Sequence, residues 1–250
     1  MLEAMSSLTL VHARYQLVEL SRIPMAIIGA AFFPAASLIF FVVPNTKDDP
    51  VGATLATASM VVFAAMISNL FGHGTGVAED RSQPWDPYTR TLPIGPAVRF
   101  GSRIITGLAM MLFSMVPVVI VAAFFTPATL SPARFLLAIG VVILVSIPFT
   151  MMGLAIGYLL STKAAIATVQ LVFLPLAFAG GLLGGPGEAP GFIETIAPFV
   201  PTRGSAELMW ATVGDYDINP VAIVSLVVWT AALAALAFYA YQRDEGRRYH

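Results

Sequence analysis

The sequence predicts an all-α membrane protein, and three observations carry that prediction. Of 250 residues, 58% are hydrophobic and only 11% charged, where an ordinary soluble domain is roughly a quarter charged. The mean hydropathy is +0.83. Six stretches stay apolar for about 20 residues, the length at which a helix crosses a hydrocarbon core about 30 Å thick. A formal net charge of −1 leaves no electrostatic case for nucleic-acid binding. The absence of cysteine excludes disulfides, thiolate metal sites and cysteine nucleophiles. With only His12, His73 and His250, no metal centre is expected.

The elements follow in order. Residues 1–22 form a cytoplasmic interface helix in which Leu8, Val11, Tyr15 and Val18 share one face by their three- and four-residue spacing. Leu10, Leu17 and Leu20 make a second apolar stripe, as for a helix at the membrane surface with lipid on one flank and protein on the other. The plainer alternative is an N-terminal extension of the first span. The first two spans, 23–43 and 51–72, fill residues 23–72, and a charged connector occupies 73–103. Spans at 104–125, 135–160 and 164–184 occupy 104–184, the last two joined by a tight turn at Ser161-Thr162-Lys163. An external segment covers 185–218, the sixth span 219–241 and a tail 242–250. Pro24, Pro34, Pro117, Pro148 and Pro175 fall within spans, either as tolerated kinks or as hinges.

Orientation follows from the basic residues. One side holds Arg14, Arg22, Arg81, Arg90, Arg99, Arg103, Lys163, Arg243, Arg247 and Arg248; the other holds Lys47, Arg134 and Arg203. That imbalance puts both termini in the cytoplasm. The six spans contain no Asp, Glu, Lys, Arg or His. Ion-coupled carriers usually keep an ionisable group near the midplane, and here only polar candidates such as Asn69 and Gln170 are available, so any uphill transport draws its energy from outside the bilayer.

The connector carries the densest chemistry. Gly72, Gly74 and Gly76 let the second helix loosen as it leaves the membrane, and Glu79-Asp80-Arg81, Trp85, Asp86, Tyr88 and Arg90 follow. Pro84, Pro87, Pro93 and Pro96 divide it into short pieces. Trp, Tyr and Arg mixed with both charge signs have the composition of a protein interface; a solvent loop anchored by Trp85 at the headgroups is the alternative. In the external segment, Phe192, Ile193, Ile196 and Phe199-Val200 are spaced for a short amphipathic helix after a break at Gly180-Gly181 and Gly184-Gly185. Such a segment can dip back into the bilayer if protein buries its irregular backbone. Glu188, Glu194, Glu207, Asp215 and Asp217 make this face acidic.

This order of elements, with the stretch AEDRSQPWDPYTRTLPIGPAVRFGSRII at 78–105, resembles the ABC-2 type exporter permeases, in particular the daunorubicin-resistance-like membrane subunits. Asp80-Arg81 and Thr91-Leu92-Pro93 match the family pattern, while Gln83-Pro84 stands where a glycine is expected. The segment APGFIETIAPFVPTRGSAELMWA at 189–211 is similar to the family's Pro-rich stretch ahead of the last span. The resemblance implies six spans in one transmembrane domain over 1–250, an external re-entrant hairpin between the fifth and sixth, and the bacterial plasma membrane as location. It implies a dimer of membrane subunits, each docked on a separate cytoplasmic ATPase that binds ATP and Mg. The sequence itself has no phosphate-binding GxxxxGK[ST] loop. By position, Glu79, Asp80, Arg81, Trp85, Asp86, Tyr88 and Arg90 become the coupling contacts, together with Val11, Tyr15 and Val18 on the interface helix. Ser37, Thr168 and Gln170 become candidates for the path of a hydrophobic or amphiphilic drug or lipid. An ion-coupled carrier or channel is the main rival, and a membrane anchor without transport another. A rhomboid-like protease lacks its GxSG serine here.

Overall fold

The computed structural model describes residues 2–21, 32–84, 96–183, 185–187 and 191–246, and among these every regular element is helical. Helix α1 (Leu2–Ser21) precedes α2 (Phe32–Val42), whose last turn is π-helical from Leu38. Helix α3 runs over Pro50–Ser82 through a π-helical stretch at Leu70–Thr75. Then come α4 (Pro96–Phe125), α5 (Pro132–Leu159) and α6 (Thr162–Ala179). Helix α7 (Gly191–Ile196), prolonged by a 3-10 turn over Ala197–Phe199, leads to α8 (Pro201–Val213) and α9 (Pro220–Gly246).

Helices α3, α4, α5, α6 and α9 are long and apolar enough to cross a membrane. The chain is thus a multi-pass membrane protein with five such helices among the described residues. The span expected at 23–43 is described only from residue 32, and α2 alone is too short to cross.

Local sequence explains the boundaries. Asp49 accepts the Gly52 N–H at 2.9 Å and Ser131 the Arg134 N–H, each followed by a proline that fits the first helical position. Helix α5 is interrupted at Ser146, just before Pro148, which has no N–H to give the ladder. Helix α6 ends where Gly181 takes φ 71°; its N–H bonds Phe178 O, and the Leu182 N–H bonds Ala177 O. That paired closure needs a left-handed residue, so the break expected at Gly180-Gly181 is real.

Successive spans run in opposite directions. Thr54, Thr129, Arg134 and Val213 meet at one end, here the distal end. Arg81, Arg103, Leu160 and Asp244 meet at the other, the proximal end. Helix α3 is the central element, with 67% of its apolar window buried against 17–39% for the other four. The C-terminal half of α5 packs on α9 and on the π-helical stretch of α3.

Backbone meets backbone where α5 crosses α3. A Cβ built at Gly153 would lie 2.6 Å from the Asn69 carbonyl oxygen, and one at Gly157 would lie 2.6 Å from that of His73 and 2.7 Å from Val77 Cβ. Gly153 and Gly157 are four residues apart on one helical face, the spacing by which membrane helices approach closely.

Two expectations are corrected. Residues 73–82 are not a loop: the glycines at 72, 74 and 76 do not loosen the second helix, which continues through the π-helical stretch into Gly76–Ser82. Of the three, Gly74 admits a neighbour, Val169, while Gly72 and Gly76 have nothing within 4 Å of a built Cβ. The 185–218 segment holds more than a short amphipathic helix, because α8 within it is a core element, with Trp210 and Ala206 fully buried.

Gly157→Ala is expected to lower the melting temperature of the detergent-purified protein, since overpacking of this kind costs about 1–3 kcal/mol. Gly140→Ala, where nothing lies within 4 Å, is the control expected to leave it unchanged or raise it.

Candidate functional site

The proximal end is organised by the last turns of α3, which the sequence marks as Glu79-Asp80-Arg81. Arg81 points inward. Its Nε and Nη2 donate to Asp244 Oδ1 of α9 at 2.9 and 2.5 Å, while its Nη1 donates to the carbonyls of Gly157 and Leu160 at 2.7 and 3.1 Å. Those carbonyls end α5, where the helix has no further donors of its own and its dipole is negative. Asp80 lies outward and pairs with Arg103 of α4. The Ala78 carbonyl accepts from Thr162 Oγ1 at the start of α6, at 3.0 Å. Three residues of one turn of α3, Ala78, Asp80 and Arg81, therefore carry bonds to α4, α5, α6 and α9. An open groove of about 320 Å³ lies beside them, lined by Ala78, Arg81, Ser82, Leu159, Leu160, Ser161 and Thr162.

Of the other expected coupling contacts, Glu79 is exposed on α3, while Trp85, Asp86, Tyr88 and Arg90 lie outside the described residues. Helix α1 packs on the start of α4. Ala13 is buried there, and Thr106 Oγ1 lies 2.9 Å from Gln16 Oε1. Val11, Tyr15 and Val18 are exposed, and so is Leu10 of the second stripe; the side turned to α4 is instead that of Ala13 and Gln16.

The membrane interior has its own polar knot. The Asn69 side-chain N–H₂ bonds the Ala65 carbonyl at 2.8 Å and contacts Met111 Sδ, while its oxygen accepts from Thr150 Oγ1 at 2.7 Å. Among the path candidates, Ser37 is buried, Thr168 half-buried and Gln170 exposed. Phe33, Phe71 and Phe63 gather around Phe173, with centroids at 5.8–6.5 Å.

At the distal end, α8 carries a buried ionic network. Arg203 Nε donates to Glu207 Oε1 at 2.7 Å, its Nη2 lies 3.1 Å from Glu194 Oε2, and its guanidinium stacks 5.0 Å from the Trp210 ring centre. Burial opposes the Arg203 charge, but the hydrogen bond to Glu207 and the charge of Glu194 outweigh it and hold the pKa above the ordinary arginine value. Glu207 Oε2 accepts the Asn219 N–H, Trp210 Nε1 donates to Ser59 of α3, and Ser205 Oγ bonds the Val145 carbonyl at the α5 break. Asp215 pairs with Arg134. This narrows the expected acidic face: Glu194 and Glu207 share Arg203 and Asp215 pairs with Arg134, Asp217 is exposed, and Glu188 lies outside the described residues.

Asp244 as the partner of Arg81 was not legible, because the two are distant in sequence. The Gly153–Gly157 pair and the i,i+4 spacing of Arg203 and Glu207 were visible signals that composition alone passes over. Among the described residues, no group of three or more His, Cys, Asp or Glu is arranged to hold a metal.

A bundle of long apolar helices with a charged hub at one end and a buried ionic helix at the other places the chain among multi-pass helical membrane proteins. Residues 8–213 match the ABC-2 type transporter family, and the chain belongs to it. It is also similar to YvfS, a candidate transport permease of Bacillus subtilis (strain 168), at 21% identity over 222 residues, covering 88% of this chain and 91% of the relative.

Removing Arg203 strands two carboxylates, one of them fully buried. Arg203→Ala is expected to destabilise the protein by about 3–5 kcal/mol, the usual cost of breaking one side of a buried pair. A thermal melt in detergent checks this; Arg203→Lys is expected to recover only part of the loss, since it cannot reach both Glu207 and Glu194 through one fork.

Proposed function

We propose that the chain is the membrane subunit of an ATP-binding cassette exporter, forming the translocation path as a dimer and moved by separate cytoplasmic ATPase subunits that hold ATP and Mg. The observation that carries this reading is the hub at 78–81, bonded to four spans and standing directly before the residues 85–90 that bear Trp85, Asp86, Tyr88 and Arg90. A force on that connector reaches the spans through hydrogen bonds and ion pairs rather than through slack chain. Two alternative packings of the spans are then biased by whatever grips the connector.

In this reading the proximal end is cytoplasmic, as the gathering of Arg81, Arg103, Lys163 and Arg243 there favours. Six spans put both termini on that side in the plasma membrane, with residues 23–43 completing the count. The segment containing α7 and α8 is the external re-entrant hairpin, with α8 as its protein-buried part. The α2 and α6 faces bearing Phe33, Phe173, Thr168 and Gln170 line the path between two membrane subunits, with Ser37 behind them. Their aromatic, charge-free character suits a hydrophobic or amphiphilic drug or lipid. Asn69, the polar candidate within the second span, has its donor and acceptor engaged within the bundle.

Charge reversal of the proposed contacts, Glu79→Lys with Asp86→Arg, is expected to reduce co-purification of the ATPase subunit at least tenfold while membrane insertion and melting temperature hold. Full recovery of the ATPase with the double variant would contradict the docking assignment.

A further inference from the structure

Resting on the proposed export function, we propose that Arg81 and Asp244 form a single transmission clamp, a pair of positioning residues that pass movement of the connector to the fourth and last spans. Arg81 is therefore not a surface contact for a partner; it acts on the inner side of the hub, while Glu79 and Asp80 face outward.

Asp244 lies at the end of a helix whose preceding membrane stretch carries no charge, and its side chain is 4% exposed. A buried carboxylate is costly to retain, and packing alone is served as well or better by apolar side chains. Helix α9 does not need it to stay on α5. Tyr158 and Tyr241 meet edge to face at 5.3 Å, and Ala237 is buried against Leu154 and Ala155. What the pair adds is a link from α3 to α9 and, through the same guanidinium, to the α5 terminus. Three nitrogens of one planar fork reach two other helices, a geometry that a lysine ammonium cannot reproduce. The clamp also sits one turn beyond the Gly157 contact, where α3 and α5 touch backbone to backbone. Arg81 and Gly157 thus fasten the same two helices at successive levels.

The test uses the permease–ATPase complex in liposomes, with a lipophilic rhodamine dye as the transported probe. Arg81→Ala and Asp244→Ala are each expected to lower dye moved per ATP hydrolysed about tenfold in the folded complex, with ATPase co-purification near wild type and a melting temperature lowered by the loss of a buried pair. The double variant is expected to be no worse than the poorer single, because the pair acts as a unit. Unchanged ratios in both singles, a hundredfold additive loss in the double, or loss of ATPase binding in either single would each overturn the clamp. Asp244→Glu, which keeps the charge, is expected to restore a majority of the ratio. Should wild type move no dye with ATP, the fault lies with the function or the probe. Spin labels at Ser82→Cys and Gln242→Cys in the permease alone then decide: one narrow distance that broadens in each single variant supports the clamp, and an unchanged distribution overturns it. The chain has no other cysteine to interfere.

Discussion

The fold depends on one close crossing, where Gly153 and Gly157 of α5 lie against the carbonyls of Asn69 and His73 on α3. In a bilayer, lipid tails are as apolar as leucine, so helices gain little by hiding hydrophobic surface from one another. What remains is close packing and polar bonding, and both are concentrated here. The crossing coincides with the π-helical stretch of α3, a local widening of the helix that occurs frequently at functional sites. Arg81 then fixes the same pair of helices one step further toward the proximal end.

From that crossing the two ends acquire different characters. The proximal end is a hub in which one segment of α3 addresses four neighbours, two of them through the one Arg81 guanidinium. The distal end is a wedge: α8 fits among α3, α5, α6 and α9, and it is held by Trp210 to Ser59, Ser205 to Val145, Thr202 to Leu176 and Glu207 to Asn219. Helix α3, with the largest buried share of the described spans, joins the hub to the wedge.

Much of the span pattern could be read from the sequence, because twenty apolar residues have few other uses and proline and Asp or Ser mark the helix starts. The helical hub could not. Three glycines at 72, 74 and 76 read as a helix breaking up, yet they lie on a helix whose neighbours press close, and tertiary packing outweighs glycine's poor helix propensity. The acidic external face was read too broadly for a related reason: counting carboxylates ignores where arginines fold, and Arg203 reaches Glu194 and Glu207 while Arg134 reaches Asp215. Asp80-Arg81 was found through family resemblance, but its geometry, one side chain outward and one inward, depends on long-range partners no local pattern reveals.

The most direct test of an external motor is to reconstitute the purified chain in sealed liposomes, with and without its ATPase subunit. Dye accumulation should require Mg-ATP together with the ATPase and should ignore imposed proton or sodium gradients. Accumulation driven by an ion gradient through the chain alone would contradict the account.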